Sequence, residues 1–310
     1  MNVLIVGLGS IGKKHLSVIY TLYPLVNVFA LRSKRGSEIY ENVKNIYSTD
    51  ELNDNIDFVI ISTPTYLHEN DIIKFSKLGC PLFIEKPVLH NLKNIESVNN
   101  ILLSKNIKTY VACNMRFHPG IIHLKNYVEH NKSKINEVNI YFGSYLPNWR
   151  NGIDFRENYS SHAEMGGGVH LDLIHELDYC IWVFGYPKSI KSVFRKVSNL
   201  EINSLDYANY ILFYDDFTLN IKLNYYRIDS KREIEVLTND TTLVYDLIQN
   251  KVFDNTLKQI LYQDEFSMID TYKNQMCYFI ENINNTQTTL MNNFEESIKI
   301  LKIALNDKFE

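Results

Sequence analysis

Two acid–base side chains, Asp172 and His175, follow a run of three glycines at positions 166–168 in an otherwise apolar segment. On a helix, residues three apart share a face, so the carboxylate and the imidazole are predicted to lie side by side. A neutral imidazole can take the proton of a hydroxyl group, and a neighbouring carboxylate fixes its tautomer and raises its basicity. The spacing therefore indicates a candidate proton-transfer pair.

Three glycines near the N-terminus form the pattern G-L-G-S-I-G, directly after an apolar strand and at the start of a predicted helix. Such a turn lets backbone N–H groups and the helix dipole face a pyrophosphate. We therefore predict a dinucleotide site; the alternative is a glycine turn with no ligand. The predicted binding residues are Gly7, Gly9, Ser10, Ile11 and Gly12.

The end of the second predicted strand bears on the choice of cofactor. An NAD-specific fold usually carries Asp or Glu there, about twenty residues after the last glycine, to bind the adenosine ribose 2′-hydroxyl. This chain instead has Arg32 and Ser33, with Lys34 or Arg35 nearby. Because a guanidinium fork matches a phosphate in geometry, NADP(H) is predicted to be favoured over NAD(H). The alternative is a solvated loop with ordinary charges.

Two further motifs stand at predicted strand ends, where open α/β sheets bind their ligands. They are S-T-P-T-Y-L-H at residues 62–68 and F-I-E-K-P at residues 83–87. With the glycine turn and the later glycine-run helix, they follow the order found in glucose-fructose oxidoreductase, inositol dehydrogenase and MocA proteins. C-N-M-R-F-H-P and the W-R pair at 149–150 are also similar. The chain thus resembles the Gfo/Idh/MocA family over nearly its whole length.

The resemblance implies a Rossmann dinucleotide-binding domain, placed at residues 1–118, and a substrate-binding and oligomerisation domain at residues 119–310. In the family the lysine of E-K-P, here Lys86, contacts the nicotinamide side and the reacting oxygen, where an ammonium can polarise a carbonyl or relay a proton. The alternative for Lys86 is a salt bridge to Glu85. Further cofactor-binding candidates from the two motifs are Thr63, Pro64, His68, Glu85 and Lys86.

The family assigns the proton-transfer role to its Asp and His, which match Asp172 and His175. The spacing departs from the commonest family pattern, because His175 follows Asp172 by three residues instead of four and the intervening glycine is missing. Counted from the glycines, Glu176 stands at the usual histidine position, whereas helix face and residue type favour His175. We predict Lys86, His175 and Asp172 as catalytic residues and keep Glu176 as the alternative proton acceptor.

The irregular stretch at residues 145–164 is aromatic and rich in arginine. It is predicted to line a sugar pocket, and a structural loop is the alternative. The substrate-binding candidates are Lys86, Arg116, Trp149, Arg150, Arg156, Tyr159, Asp172 and His175. No metal site is predicted, because the five-residue spacing of His170 and His175 places them on different faces of a helix.

The elements that position these residues follow from hydrophobic periodicity. In the first hundred residues, apolar runs alternate with amphipathic segments, which predicts an α/β domain whose parallel sheet has helices on both faces. The resemblance implies that this is a Rossmann domain with a doubly wound parallel sheet. From about Asn136, apolar and polar residues alternate, which predicts an α+β domain with a large, mostly antiparallel sheet built as successive hairpins. The resemblance implies that this sheet is open. One continuous helix at residues 168–185 is predicted to cover that sheet, and two helices close the chain.

Composition excludes several classes of protein. Apolar residues make up 45% and charged residues 22%, which is typical of a globular protein. The net charge of −4 gives no basic excess for nucleic acid. No apolar run reaches the roughly 18 residues that a membrane span needs. The four cysteines are far apart in sequence, which is typical of a reduced protein and predicts a cytoplasmic location.

We therefore predict an NAD(P)-dependent dehydrogenase or reductase that acts on a hydroxyl or ketone carbon of a sugar, cyclitol or nucleotide-linked sugar. The alternatives are an NAD-dependent glycosidase that works by transient oxidation and a dinucleotide-sensing regulatory protein. Aromatic residues at alternate strand positions predict a sheet-to-sheet interface, and so a homodimer or homotetramer.

Overall fold

The structure is a computed structural model. It describes residues 1–34, 39–40, 42–52, 54–150, 152–285 and 289–307. Arg35, which the sequence places near a cofactor phosphate, lies outside these residues. Within the described ranges, no helix is both long enough and apolar enough to cross a membrane.

The first sheet has six strands, and all neighbouring strands are parallel. The strands are β1 (Asn2–Val6), β2 (Asn27–Leu31), β3 (Val43–Ile46), β4 (Phe58–Ile61), β5 (Leu82–Ile84) and β6 (Thr109–Val111). Their spatial order is β3-β2-β1-β4-β5-β6, so the direction of the chain through the sheet reverses between β1 and β4. Open α/β sheets bind ligands at this position.

Three helices connect parallel strands of this sheet: α1 (Ser10–Leu22), α2 (His68–Phe75) and α3 (Ile95–Ser104). All four residues of β4 are buried, as expected for a continuous apolar run covered on both faces. The predicted doubly wound parallel sheet is confirmed. The strand β3 was not predicted, because a segment of four residues with two polar side chains gives no clear hydrophobic pattern.

The second sheet has eight strands and is mostly antiparallel, as predicted. The strands are β7 (Ile135–Tyr145), β8 (Ser189–Arg195), β9 (Tyr207–Phe213), β10 (Thr218–Asn224), β11 (Tyr226–Thr238), β12 (Thr242–Asp246), β13 (Lys251–Asp254) and β14 (Gln259–Gln263). Their order is β14-β13-β12-β11-β7-β10-β9-β8. The predicted hairpins β9–β10 and β11–β12 are present, and β13 and β14 were not predicted.

The prediction of successive hairpins is wrong at one place, because β10 and β11 do not pair with each other. They lie on either side of β7, which pairs with β10 in parallel and with β11 in antiparallel orientation. The chain passes around the end of β7 at Tyr225, whose carbonyl oxygen accepts the Leu146 amide at 2.8 Å. Such a long-range insertion leaves no trace in the local alternation of apolar residues.

The helical segments of the second half also depart from the prediction. The helix α4 (Pro119–Asn131) was not predicted, and the segment predicted as one helix forms α5 (Val169–Asp172) and α6 (Ile174–Phe184). Leu173 separates them, with φ −99° and ψ 23°. Asp172 and His175 therefore stand on different helices, and the argument that they share a helix face is wrong. Apolar residues continue through the break, so periodicity does not reveal it.

The chain forms two compact units. One comprises Met1–Asn114 with Ile269–Lys299, and the other comprises Met115–Met268 with Ile300–Glu310. The sequence-based boundaries, 1–118 and 119–310, put the two closing helices, α7 (Met268–Asn282) and α8 (Phe294–Ala304), in the second domain. Instead, Met276 and Phe279 of α7 join the apolar core of the first unit. Composition along the chain does not reveal that a helix near its end packs in the core formed by its first residues.

Candidate functional site

The glycine turn between β1 and α1 forms the first candidate binding site. A Cβ at Gly7, where φ is +89°, would lie 2.6 Å from the Thr63 amide nitrogen, and one at Gly12 would overlap the Gly7 carbonyl oxygen. These two glycines are therefore required by close packing. At Gly9, by contrast, a Cβ would have no atom within 4 Å. The missing side chain at Gly9 leaves open space beside the start of α1.

The N-terminus of α1 is suited to an anionic group. Gly9 is the N-cap residue, so no side chain bonds the first amides, and the first turn carries no acidic side chain. The helix dipole places partial positive charge at this end. Since the turn also stands where the strand order reverses, the residues present fit a dinucleotide pyrophosphate.

Arg32 and Ser33 follow β2, the neighbour of β1. Ser33 is exposed and Arg32 is partly exposed. Arg32 Nη1 donates to Asn45 Oδ1 at 3.4 Å, which ties one side of the guanidinium to β3. The structure thus places a cationic fork at the end of β2, where the sequence predicts contact with a 2′-phosphate.

The two strand-end motifs are joined by His68. Its Nδ1 lies 2.9 Å from the Pro87 carbonyl oxygen and its Nε2 lies 2.9 Å from the Thr63 carbonyl oxygen. Burial lowers the pKa of His68, although both carbonyls act in the opposite direction. With both ring nitrogens in contact with the backbone, His68 shapes the loops that carry Thr63, the exposed Pro64 and Lys86.

Glu85 is anchored by a histidine that the sequence analysis did not single out. His15 of α1 lies with Nε2 at 2.6 Å from Glu85 Oε1, and the Lys86 amide donates to Glu85 Oε2 at 3.2 Å. Burial would raise the pKa of Glu85, but the bond and charge of His15 and the charge of Lys86 outweigh it and lower the pKa. Glu85 is therefore a carboxylate that connects α1 to the E-K-P turn. The Lys86–Pro87 peptide bond is cis, and Lys86 is partly exposed.

Asp172 lies in a cluster of aromatic residues in the second unit. Tyr225 donates its hydroxyl to Asp172 Oδ2 at 2.5 Å. The Asp172 charge, with burial, raises the pKa of Tyr159, and Tyr159 is also hydrogen-bonded to Asp172. The Arg150 guanidinium lies 5.1 Å from the Tyr159 ring centre, and Trp149 packs edge-on to Tyr225 at 5.2 Å. The predicted candidates Trp149, Arg150, Tyr159 and Asp172 are thus brought together around Tyr225.

His175 contacts a different carboxylate. Its Nε2 lies 3.2 Å from Glu176 Oε1, and the His175 side chain is 16% exposed whereas that of Glu176 is fully buried. Glu176 Oε1 also accepts from Arg232, and its Oε2 accepts from the Tyr179 hydroxyl at 2.6 Å. The structure therefore gives His175 a buried carboxylate neighbour that is fixed from two further sides.

Two arginines among the predicted substrate residues are held by carboxylates. Arg116 is only 3% exposed and forms a two-bond pair with Asp178, at 3.0 Å from Nε and 2.7 Å from Nη2. Arg156 is exposed and is bonded to Asp154 and Glu201. Both guanidiniums thus have protein carboxylates as partners. Nowhere in the described part of the chain do three His, Cys, Asp or Glu side chains group as a possible metal site.

Several residues of these clusters were not predicted from the sequence: His15, Tyr179, Tyr225 and Arg232. Tyr225 lies between β10 and β11, Arg232 lies on β11, and they are 53 and 56 residues from the carboxylates that they contact. No local motif marks them. The sequence offered one signal for Arg232, which is a charged residue at an inward position of a strand in which buried and less buried residues alternate.

Comparison with known proteins agrees with this architecture. Residues 1–112 match the model of an oxidoreductase family with an NAD-binding Rossmann fold, GFO_IDH_MocA. The chain is 26% identical over 211 residues to levoglucosan dehydrogenase of Pseudarthrobacter phenanthrenivorans, covering 62% of this chain and 53% of that protein. It spans less than half of the first two curated relatives, 42% and 44% of their lengths.

Solved structures share the fold over almost the full chain. A UDP-N-acetylglucosamine 3-dehydrogenase from Acidithiobacillus ferrooxidans matches with a TM-score of 0.77 at 17% identity, covering 99% of this chain and 96% of that one. The WlbA dehydrogenase from Bordetella pertussis, in complex with NADH and UDP-GlcNAcA, matches with a TM-score of 0.80 at 15% identity, covering 99% and 94%. At this level of identity the likeness concerns the fold. The Gfo/Idh/MocA resemblance is confirmed, because residues 1–112 match the NAD-binding Rossmann model of that oxidoreductase family.

Proposed function

We propose that the protein is a nicotinamide-dependent dehydrogenase or reductase that transfers hydride to or from a hydroxyl or ketone carbon of a sugar, cyclitol or nucleotide-linked sugar. The observation that carries the proposal is the glycine turn, in which Gly7 and Gly12 are packed against backbone while Gly9 leaves open space at the start of α1. The nicotinamide ring supplies the carbon that accepts or gives the hydride.

Under this proposal the first unit holds the dinucleotide. Gly9, Ser10, Ile11 and Gly12 present backbone amides to the pyrophosphate, and Arg32 with Ser33 binds a ribose 2′-phosphate, so NADP(H) binds more tightly than NAD(H). The remaining contacts with the dinucleotide come from the strand-end loops after β4 and β5. The residues proposed there are Thr63, Pro64 and Lys86.

The oxygen of the reacting carbon is handled by side chains of this chain. His175 takes the hydroxyl proton as a general base during oxidation, and the Lys86 ammonium polarises the resulting carbonyl. Asp172, held by Tyr225 and Tyr159, orients the substrate hydroxyls beside His175. The relatives named as levoglucosan and UDP-N-acetylglucosamine dehydrogenases support a carbohydrate as substrate.

The test is a spectroscopic assay of cofactor reduction or oxidation with a panel of free sugars, cyclitols and nucleotide-linked sugars. His175→Ala should lower the turnover number by roughly 10²–10⁴, the usual contribution of a positioned base, with cofactor affinity unchanged. His130→Ala is the matched control, because His130 is an exposed histidine of α4 bonded to the Asn126 carbonyl.

Three results would decide against the proposal. One is turnover in which glycosidic bonds break without net change in the cofactor, which would identify a glycosidase. Another is tight cofactor binding without turnover of any substrate class. The third is equal loss of activity in the His175 and His130 variants.

A further inference from the structure

A buried set of hydrogen bonds lies behind His175. Glu176 is fully buried, and its two carboxylate oxygens contact His175 Nε2, the Arg232 guanidinium and the Tyr179 hydroxyl. Arg232 stands on β11, on the sheet that α6 covers, and its side chain is 9% exposed. The carboxylate is thus held from the helix and from the sheet, and it cannot turn away from His175 without leaving a buried charge unpaired.

Glu176 remains ionised throughout the pH range in which an imidazole titrates. Burial would raise the pKa of Glu176, but the Arg232 charge, together with hydrogen bonds from His175 and Tyr179, outweighs it and holds the pKa at about 2. A permanently charged acceptor at 3.2 Å from Nε2 favours the tautomer that carries its proton on Nε2. The lone pair is then on Nδ1.

We propose that Glu176, fixed by Arg232 and Tyr179, is the positioning carboxylate that sets the tautomer of His175. In the reaction proposed above, on which this part of the inference rests, the hydroxyl proton of the substrate passes to Nδ1. The hydride leaves the same carbon for the nicotinamide ring, and a carbonyl group forms. Asp172 has a separate role, because its carboxylate accepts hydrogen bonds from Tyr225 and Tyr159.

The groups around the pair do not themselves change charge between pH 5 and pH 9. Arg232 is cationic throughout this range. Burial, followed by the Glu176 charge, raises the pKa of Tyr179 well above its ordinary value. His118 precedes α4, and burial with the Arg232 charge lowers its pKa to about 4. A titration observed for His175 in this range therefore reflects protonation of His175 itself and not of these neighbouring groups.

The first measurement is nuclear magnetic resonance of the full protein with isotope-labelled histidine, in which the tautomer and titration of His175 are read from long-range proton–nitrogen correlations. The His175→Ala variant identifies the signals. We expect the Nε2–H tautomer in the unmodified protein. In Glu176→Gln the tautomers should mix, and the titration midpoint should fall by about one pH unit, because a carboxylate at hydrogen-bond distance favours the imidazolium.

Asp178→Asn is the matched control. Asp178 lies on the same helix, is buried, and is also paired with an arginine, Arg116. Both substitutions leave a buried guanidinium without its carboxylate, but only the loss of Glu176 should move the titration of His175. If Glu176→Gln alone fails to fold, the double variant Glu176→Gln/Arg232→Met removes both charges of the pair and is expected to show the same mixed tautomers.

The second measurement is the pH profile of turnover. The acid limb of the oxidation reaction should move to lower pH in Glu176→Gln and stay in place in Asp178→Asn, with kcat reduced by roughly tenfold or more and cofactor Kd unchanged. An Nδ1–H tautomer in the unmodified protein, or equal shifts in the two variants, would overturn the inference. Absence of turnover together with the expected spectra would count against the proposed function and leave the positioning role intact.

Discussion

Two single substitutions, Gly9→Ala and Gly12→Ala, distinguish the binding role of the glycine turn from its packing role. The two substitutions add the same methyl group three residues apart. At Gly12 the new Cβ would overlap the Gly7 carbonyl oxygen and lie 2.9 Å from Ser62 Oγ, whereas at Gly9 it would meet no atom within 4 Å. The cofactor-free protein should therefore distinguish them clearly.

The expected size of each effect follows from these contacts. Gly12→Ala must displace the backbone of the turn, and such overpacking costs about 1–3 kcal/mol, more than the gain of up to about 1 kcal/mol in helix propensity. Gly9→Ala costs the folded protein less than about 1 kcal/mol, the difference between glycine and alanine at an N-cap. Its methyl group, however, fills the space proposed for the pyrophosphate.

The Gly9→Ala substitution should have a small effect on stability but a large effect on cofactor binding. Displacing the pyrophosphate from the amides of α1 weakens charge-assisted hydrogen bonds worth about 1.5–3 kcal/mol, which corresponds to a rise in Kd of about 10- to 150-fold. Urea unfolding of the cofactor-free variants and calorimetric titration with NAD(H) and NADP(H) measure the two quantities. A Gly9→Ala protein that binds both cofactors as tightly as the unmodified protein would refute the assignment of this turn, and so would a Gly12→Ala protein of unchanged stability.

Three further predictions concern the cofactor, the pH dependence of stability and assembly. Arg32→Ala should abolish a preference for NADP(H) without unfolding the protein, and calorimetry that finds NAD(H) bound equally well or better before the substitution would contradict the preference itself. Burial and the Arg232 charge lower the pKa of His118 to about 4. Between about pH 6.5 and pH 4, His118 is therefore protonated in the unfolded chain but neutral in the folded chain, and the free energy of unfolding decreases as the pH falls. The His118→Asn variant keeps an acceptor for the Gly120 amide but has no imidazole to titrate. Between pH 7 and pH 4.5, its free energy of unfolding should decrease by about 2 kcal/mol less than that of the unmodified protein. Equal decreases in the two proteins would show that His118 does not contribute. Light scattering at micromolar concentration should give a dimer or tetramer, and a particle of 36.3 kDa would exclude it.

Local sequence was sufficient to predict the strands of the first sheet other than β3. These strands are short apolar runs such as Val3–Val6 and Phe58–Ile61, and the glycine turn fixes where the first helix begins. The alternation of apolar and polar residues likewise identified β9 and β10, whose buried positions follow every second residue. These features depend on neighbours in sequence, which is why one chain suffices to find them.

Features that depend on long-range contacts could not be predicted. The insertion of β7 between β10 and β11 pairs residues that are about 80 to 100 positions apart, and the alternation is the same in either topology. The pairing of Glu85 with His15 spans 70 residues and follows no motif. In both cases the sequence specifies the type of element, and the tertiary contacts decide which elements become neighbours.

The break at Leu173 shows how a single residue changes the chemistry of the second unit. In one continuous helix, Asp172 and His175 would share a face, and the carboxylate three residues earlier would serve the imidazole. Because the helix ends at Asp172 and a new one begins at Ile174, the two side chains are positioned by separate elements, and each carboxylate has its own bonded partners. Asp172 is bonded to tyrosines next to Trp149 and Arg150, an arrangement suited to substrate hydroxyls, whereas Glu176 is bonded to His175 and Arg232. With the helix broken at Leu173, the carboxylate that contacts His175 is the one that follows it in the chain.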